Sequence, residues 1–432
     1  MRRTLGTWLT AAVLVNLSVP CGAQTQSQTA QTPPPKPPTL DNTMVAGEAE
    51  SEEPARKFVK WNEFDGKHLT LRFGGGFLYD VANYSQDANS KEQFRLVAHN
   101  KVRDFRLTFK GRFKFIESRE VTYTSGLMYD GPSGKWLVRE TGIMIQVAEN
   151  WGYFFVGRTK EGFSLNKVMV GYAGWTQERA TINDATIPIL ADGVKWLGYS
   201  KKLKAIWNVG FYGDAISVGQ SFSTYKNQVA GRFAWVPIMS AETDEVLHLG
   251  FSSRWGNPKD DSLQLRSRPE DFTTQYFVDT GKFAAENATM FQLEAYYRPG
   301  PLLLGTEYFW QKDDAPTVGN PLFHGGEAVV TWLATGETRV YNTKGGFFNQ
   351  VAPNRPLFSG GPGAWEIVGR FSYIDLDSGT LTGGKFWRIT PMVNWHMSDQ
   401  VRLELTYGYG SLNRFNLVGH TSFFQSRLQL QF

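Results

Sequence analysis

Hydrophobic and polar residues alternate along most of the chain from Trp61 onward, whereas helical periodicity is rare. The segments 69–79 and 105–115 place apolar, mostly aromatic side chains at every second position, with Thr, Arg, Lys or Gly at most positions between them. Because successive side chains of a strand point to opposite sides, this pattern predicts strands whose two faces meet different surroundings. The alternation recurs at 203–211, 229–235, 247–254, 291–298, 365–373, 385–396, 401–409 and 424–432.

Two architectures accept many alternating strands: a soluble sandwich or propeller, and a closed transmembrane barrel. The apolar face is unusually aromatic here, and the other face carries Arg or Lys on nearly every strand. A lipid-facing apolar face, aromatic girdles and a polar lumen are typical of the membrane barrel. The pattern therefore predicts an all-β fold, a transmembrane antiparallel β-barrel. About 372 residues remain for it, enough for about 16 strands around an aqueous channel.

The first residues have the composition of a secretory signal. Arg2 and Arg3 precede an apolar run, and small residues follow it, so 1–23 is interpreted as a signal peptide. A lipoprotein site at Cys21 is the weaker alternative, because Pro20 precedes the cysteine. Cleavage would remove the single Cys and take the formal charge from +4 to +2, which gives no case for nucleic-acid binding.

The remaining chain divides in two. Residues 24–57 are first rich in Gln, Thr and Pro and then acidic, so they are interpreted as a disordered spacer, with a periplasmic or cell-wall tether as the alternative. Residues 58–432 are predicted to form the barrel. An export signal with a barrel indicates the outer membrane of a Gram-negative bacterium, in contact with its lipid and lipopolysaccharide.

Alternation continues to the last residue, Phe432. A strand at the very end is expected to pair with the first strand and close the ring. The terminal aromatic residue resembles the signature that the barrel-assembly machinery recognises in bacterial outer-membrane proteins.

Charged residues on the polar face are expected to line the lumen. The predicted basic set is Arg72, Arg106, Lys110, Arg112, Lys114, Arg158, Lys160, Lys202, Lys204, Arg232, Arg254, Arg298, Arg370, Arg388, Arg402 and Arg427. The predicted acidic set is Asp80, Asp104, Glu294, Glu307, Glu327, Glu366 and Glu404. Basic rings favour anions, so the wall predicts an anion preference; the alternative is that these charges only keep the lumen wet.

Several stretches in order resemble the phosphate-selective porin O and P family. They are NKVRDFRLTFKG, GRTKEGFSLNKV followed by QERA, EAVVTWLATGETRVY, GAWEIVGRFSYIDL, ITPMVNWHMSDQVRLELTYG and SRLQLQF. The resemblance spans roughly 103–432. It implies a sixteen-stranded barrel, usually a homotrimer, with a constriction loop folded inward from near Lys160 to about Lys195.

The resemblance also implies which residues meet the anion. Lys160, Ser164 and Arg179 match family positions that contact it, and the predicted constriction set is Lys160, Ser164, Arg179, Arg158, Arg106, Lys110 and Arg112. The chain departs from the family at Asp104, where a second arginine is common, and at Gly162, where the family has proline. The expected function is an anion-preferring porin for phosphate, polyphosphate or similar small anions.

Other functions find less support in the sequence. A general non-specific porin stays an alternative. A barrel enzyme would need a nucleophile beside a histidine, but the six histidines are scattered, and only Asn394 and His396 share one strand face. With the histidines so scattered, no enzyme is expected. No His or Cys spacing suggests a metal site, and no cofactor is expected either.

Overall fold

The computed structural model describes residues 61–116, 118–148, 151–169, 171–213 and 225–432. The predicted signal peptide 1–23 and spacer 24–57 lie outside these residues. Within the described ranges, no helix is both long and apolar enough to cross a membrane.

Sixteen strands form one closed antiparallel barrel, as the alternation predicts. The first eight are β1 (Thr70–Gln86), β2 (His99–Arg112), β3 (Val121–Asp130), β4 (Lys135–Val138 and Thr141–Ala148), β5 (Gly152–Thr159), β6 (Ala191–Ser200), β7 (Ala205–Gly213) and β8 (Tyr225–Ser240). The second eight are β9 (Glu245–Pro258), β10 (Asn287–Pro299), β11 (Leu302–Asp314), β12 (Leu322–Leu333), β13 (Ala364–Ser378), β14 (Leu381–His396), β15 (Val401–Arg414) and β16 (Leu417–Gln431). Each strand pairs with its neighbours in the chain, and β16 pairs with β1.

Shorter elements lie before the barrel and in its connections. The helices are α1 (Ala88–Gln93), α2 (Leu165–Val168) and α3 (Thr181–Thr186), and the 3-10 turns are Gly171–Ala173, Lys259–Asp261, Pro316–Val318 and Leu357–Ser359. A short strand, Glu63–Asp65, pairs with the start of β1. Three two-residue pairs join Ser262–Leu263 to Phe283–Ala284, Arg266–Ser267 to Val278–Asp279, and Tyr341–Asn342 to Phe347–Phe348.

Connections alternate between two ends of the barrel, and three long ones bend into the lumen. We call them loop A (160–190, after β5), loop B (259–286, after β9) and loop C (334–363, after β12). Loops A and B enter from the same end and loop C from the opposite end. The inward loop predicted from the sequence begins where loop A does. Its predicted end near Lys195 is wrong, because β6 begins at Ala191 and includes Lys195.

The two faces of the barrel wall have opposite chemistry. Outward side chains such as Phe211, Phe233 and Leu405 are exposed, as lipid-facing residues must be. Inward side chains such as Arg232 and Glu366 are buried because the three loops cover them. The alternation therefore assigned the faces of these strands correctly.

The hydrophobic core lies inside the lumen in two layers, with loop A between them. Toward loop B, Phe163 and Ile182 of loop A pack in one buried cluster with Phe277. Toward loop C, Trp175 packs in a second cluster with Phe347. The apolar residues of loop A explain why it bends inward: they find apolar partners only in the interior.

The barrel closes at its two chain ends. Gly75 N donates to Phe432 O at 3.0 Å, and Phe432 N donates to Gly75 O at 3.1 Å. On the lumen side of the same seam, Arg427 donates to both carboxylate oxygens of Asp80, at 2.6 and 2.7 Å. The expected pairing of the last strand with the first is confirmed, whereas recognition by the assembly machinery stays a prediction.

Candidate functional site

A polar cavity of about 200 Å³ lies between loop A, loop B and the inner face of β2 to β4. Seven cationic side chains line it: Arg103, Arg106, Arg139, Lys160, Lys167, Arg179 and Arg268. Five carboxylates line it as well: Asp130, Glu178, Asp184, Glu270 and Asp271. Positive groups therefore outnumber negative ones in a space large enough for a small hydrated anion.

Four of these cations are held by neutral acceptors. Lys160 Nζ donates to Met169 O at 2.7 Å, Lys167 Nζ to Ile187 O at 3.3 Å, and Arg268 Nε to a loop B carbonyl at 2.8 Å. The fourth, Arg179, donates to two loop A carbonyls at 2.7 and 3.0 Å. In the part of the chain that the structure describes, no carboxylate lies within 4.0 Å of any of the four. Carbonyls fix these groups without placing a negative charge beside them.

The other three cations have carboxylate partners. Arg106 bonds to Asp104 at 2.5 Å, and Arg139 lies 3.4 Å from its neighbour Glu140. Arg103 bonds to Glu178 of loop A at 2.8 Å. These pairs stabilise the wall of the cavity but add little net positive charge to it.

Arg103 reaches the lumen because β2 contains a bulge. The pairing of β1 with β2 shifts between Leu78 and Tyr79, which leaves Arg103 without an opposite residue. The extra residue turns Arg103 inward beside Asp104, although strict alternation would place the two on opposite faces. Arg103, which strict alternation would place on the outer face of the barrel, is therefore part of the site.

A second cavity, of about 390 Å³, adjoins the first toward the end where loop B enters, and a row of arginines and aromatic rings connects the two. Arg266 and Arg268 each lie 4.2 Å from the ring of Tyr276. Arg268 also lies 4.5 Å from the ring of Phe272, and Arg103 lies 3.7 Å from that same ring. We call these five residues the arginine–aromatic row.

Burial changes the pKa values of the loop A cations. Burial and the nearby Arg179 hold the pKa of Lys160 well below its ordinary value. The same two causes lower the pKa of Lys167 to about 7, and burial lowers the pKa of Arg179 to about 10. Arg179 is thus charged at neutral pH, whereas Lys167 titrates there.

This titration predicts a pH-dependent anion preference. Lys167 is cationic below its pKa and neutral above it, so the preference should be higher at about pH 6 and should fall toward about pH 8. Reversal potentials in chloride gradients measure this, because chloride does not titrate in that range. In Lys167→Arg the charge at this position persists, so the fall should be smaller than in the wild type. A wild-type preference that is constant over this range would contradict the assignment.

The structure brings three of the sequence-predicted residues to the cavity: Lys160, Arg179 and Arg106. Ser164 is fully buried on the other side of α2, where its hydroxyl donates to Glu307 at 2.6 Å. Arg158 is buried and bonds to Asp192 at 2.6 and 3.0 Å.

Two further predicted residues, Lys110 and Arg112, lie on β2 away from the cavity lining, Lys110 half-buried and Arg112 exposed. For these two, and for Ser164 and Arg158, contact with an anion stays a prediction.

Four cavity residues were missed: Arg103, Arg139, Lys167 and Arg268. Lys167 lies seven positions after Lys160 in the quoted segment GRTKEGFSLNKV, so its sequence position could have revealed it. Arg139 lies in the break of β4, and Arg268 lies in loop B, where no periodicity exists. The positions of Arg103, Arg139 and Arg268 in the cavity follow from tertiary structure alone.

Most arginines of the barrel wall anchor loops. Arg254 bonds to Glu161 of loop A at 2.9 Å. Arg402 donates to Gly174 O of loop A at 2.7 Å, and Arg388 donates to Pro269 O of loop B at 2.6 Å. These three arginines face the lumen as predicted and fix the inward loops there, whereas their contribution to an anion preference stays a prediction.

Two lysines assigned to the lumen lie elsewhere. Lys202 and Lys204 are exposed in the turn between β6 and β7. Their inward assignment is wrong, because the alternation continues past the strand end into a turn that faces water.

Gly162 accounts for one departure from the family pattern. A Cβ at this position would lie 2.3 Å from Asn208 O, so only glycine lets loop A approach β7 this closely. The Gly162 N–H also donates to Tyr212 Oη at 3.3 Å, a donor that proline lacks.

The candidate pair Asn394 and His396 has a structural role. Both side chains bond to Glu366, at 2.9 and 3.2 Å, and both are buried. Among the described residues, no group of three or more His, Cys, Asp or Glu could hold a metal ion.

The chain is similar in fold to several solved bacterial proteins, one of which is described as an outer-membrane channel and another as an outer-membrane protein. The channel DcaP of Acinetobacter baumannii has a TM-score of 0.55 at 9% identity over 85% of this chain and 99% of that one. OmpT of Vibrio cholerae, in trimer form, has a TM-score of 0.51 at 12% identity over 85% and 100%. OmpF of Salmonella typhi has a TM-score of 0.53 at 11% identity over 86% and 100%. These identities establish the fold alone.

Two sequence similarities complete the comparison. The chain is 32% identical over 182 residues to an uncharacterized protein of Caulobacter vibrioides, a match that covers 41% of this chain and only 36% of that protein. The family model described as phosphate-selective porin O and P matches residues 71–432. Since this match covers most of the chain, the chain belongs to the phosphate-selective porin O and P family and is an outer-membrane protein.

Proposed function

We propose that the protein is a water-filled, anion-preferring channel for the passive diffusion of phosphate, polyphosphate or similar small anions. The observation that carries this proposal is the set of four cavity cations whose hydrogen bonds go to neutral groups. In a narrow passage of low dielectric constant, such charges attract anions and exclude cations.

The donors of the cavity suit oxyanions. Ammonium groups such as Lys160 and planar guanidinium groups such as Arg179 can replace part of an oxyanion's hydration shell. Carboxylates in the same cavity, such as Glu178, oppose tight binding. Passage requires binding that is strong enough for entry and weak enough for release, and the mixed charges favour that balance.

The arginine–aromatic row supports a route into the cavity. Two guanidinium groups that share one ring cannot be farther apart than the sum of their distances to it, which is 8.4 Å for Arg266 and Arg268 and 8.2 Å for Arg268 and Arg103. An anion that moves from the 390 Å³ cavity to the 200 Å³ cavity would therefore meet the next guanidinium group within about 8 Å of the last.

Bilayer recordings test the proposal. In a potassium chloride gradient, the reversal potential of the wild-type channel should lie between zero and the equilibrium potential of chloride. Added phosphate should reduce the chloride current. A chloride preference without a phosphate effect would remove phosphate as the favoured permeant. A reversal potential at zero, or one shifted toward the equilibrium potential of potassium, would contradict an anion-preferring channel and favour a general porin.

The assembly and partners are part of the same proposal. We expect a homotrimer, since the similar OmpT of Vibrio cholerae is described in trimer form. We also expect the exposed aromatic outer face to contact lipid and lipopolysaccharide, and the last strand to be recognised by the barrel-assembly machinery. No catalytic role is proposed, because the one candidate pair, Asn394 and His396, is buried around Glu366.

A further inference from the structure

Three glutamates form a row on the lumen side of β10, β11 and β12. Glu294 lies directly opposite Glu307, and Glu307 lies directly opposite Glu327. All three are buried. Like charges in opposed positions destabilise a sheet, and buried charges need partners. The wall supplies some of them, because Arg232 Nε donates to Glu294 at 2.8 Å and Tyr296 Oη donates to Glu307 at 2.9 Å.

Loop A supplies further donors at the start of α2. Leu165 N donates to Glu294 Oε2 at 2.8 Å, and Asn166 N donates to Glu307 Oε1 at 2.9 Å. Ser164 Oγ donates to Glu307 Oε2 at 2.6 Å, and the Asn166 side-chain amide donates to the third glutamate. The first N–H groups of a helix lack partners within it, so negative charge there is stabilising. The row thus fixes loop A to the barrel wall.

The carbonyl groups of the same short segment hold two cavity cations. Asn166 O accepts from Arg179 Nε at 2.7 Å. Met169 O accepts from Arg179 Nη2 at 3.0 Å and from Lys160 Nζ at 2.7 Å. One turn of helix therefore joins the glutamates on one side to the cations on the other.

We propose that the glutamate row, Glu294, Glu307 and Glu327, positions the selectivity site: it fixes α2 and, through α2, the cavity cations Lys160 and Arg179. This inference rests on the proposed anion preference for its functional meaning. It predicts an effect opposite in sign to simple electrostatics. By charge alone, removal of a carboxyl group from the channel interior would raise the anion preference or leave it unchanged, whereas loss of a positioning group lowers it.

Glu307→Ala, measured on folded barrels in planar bilayers and in liposomes, tests this inference. The ratio of chloride to potassium permeability should fall by about twofold or more, the lower end of what mutations along a chain of coupled contacts produce. Uptake of a neutral disaccharide should rise, because an unfixed loop A narrows the channel less. Asp313→Asn is the matched control: Asp313 is buried on the same strand, and its carboxylate accepts from Gln311 at 2.9 Å. It should leave disaccharide uptake unchanged, and by charge alone it should raise the chloride preference or leave it unchanged, but not lower it.

Two readouts separate the failure of this inference from failure of the proposed function. A wild-type channel without chloride preference would sink the proposed function, but disaccharide uptake would still test the row. Unchanged uptake, or a higher chloride preference in Glu307→Ala, would overturn the positioning role. If Glu307→Ala does not fold, Ser164→Ala removes the donor from the loop side, and the same two changes are expected with the same sign.

Discussion

Lys160→Glu is expected to abolish the anion preference of the channel. Lys160 lines the cavity, and Met169 O fixes its ammonium group. The substitution adds a carboxylate in any protonation state of the native lysine. At about 7 Å and an effective dielectric constant of about 20, one charge changes the energy of a passing ion by about 2 kcal/mol. The permeability ratio of chloride to potassium should therefore fall by about tenfold or more.

Lys202→Glu is the matched control for this prediction. Lys202 is exposed in the turn between β6 and β7, where salt screens its field within about 8–10 Å. Its reversal should leave the reversal potential close to that of the wild type. Equal shifts in the two variants, or no shift in either, would show that Lys160 does not lie at a selective constriction, even though the barrel is correct.

Arg339→Met is expected to lower the free energy of unfolding of the barrel more than a substitution in a partly exposed ion pair does. Arg339 of loop C is buried and donates to both oxygens of Glu366 on β13, at 2.7 and 2.8 Å, and to Ala173 O of loop A at 2.8 Å. Removal of one partner leaves a buried carboxylate without its main counter-charge, which costs about 3–5 kcal/mol. Denaturant unfolding of the barrel in detergent should show a free energy of unfolding lowered by about that amount.

Two further variants define the cause of that loss. The double variant Arg339→Met with Glu366→Leu removes both charges and should regain part of the stability, because an apolar pair avoids the desolvation cost, but it also removes the acceptor of Asn394 and His396. Arg72→Ala breaks a partly exposed pair with Glu63 at 3.6 Å and should cost less than about 1 kcal/mol. If Arg339→Met were no more destabilising than Arg72→Ala, the buried pair would not join loop C to the wall as described.

The barrel could be predicted because its information is local. Alternation at period two fixes which side of a strand faces lipid, and residues such as Phe233 and Arg232 follow it. The seam of β16 with β1 follows from the need to leave no strand edge in lipid. The start of loop A near Lys160 came from the family resemblance, which carries tertiary information that alternation lacks.

The site could be predicted only in part because distant segments assemble it. Arg103 enters through a bulge that depends on pairing with β1, and Arg268 enters on a loop without periodicity. Side-chain charge alone also did not reveal that wall arginines such as Arg254 would find carboxylates on the inward loops. The alternation along each strand identifies which residues face the lumen. Their partners within the lumen decide which of these residues keep a net charge.

Anomalous diffraction from crystals soaked in bromide tests the central claim most directly, because bromide is a small permeant anion whose position can be seen. The account predicts an anomalous peak in the cavity between loop A, loop B and β2 to β4, within contact distance of Lys160 or Arg179. Bromide peaks along the lumen that avoid this cavity, or a cavity without bromide when other sites are occupied, would contradict it.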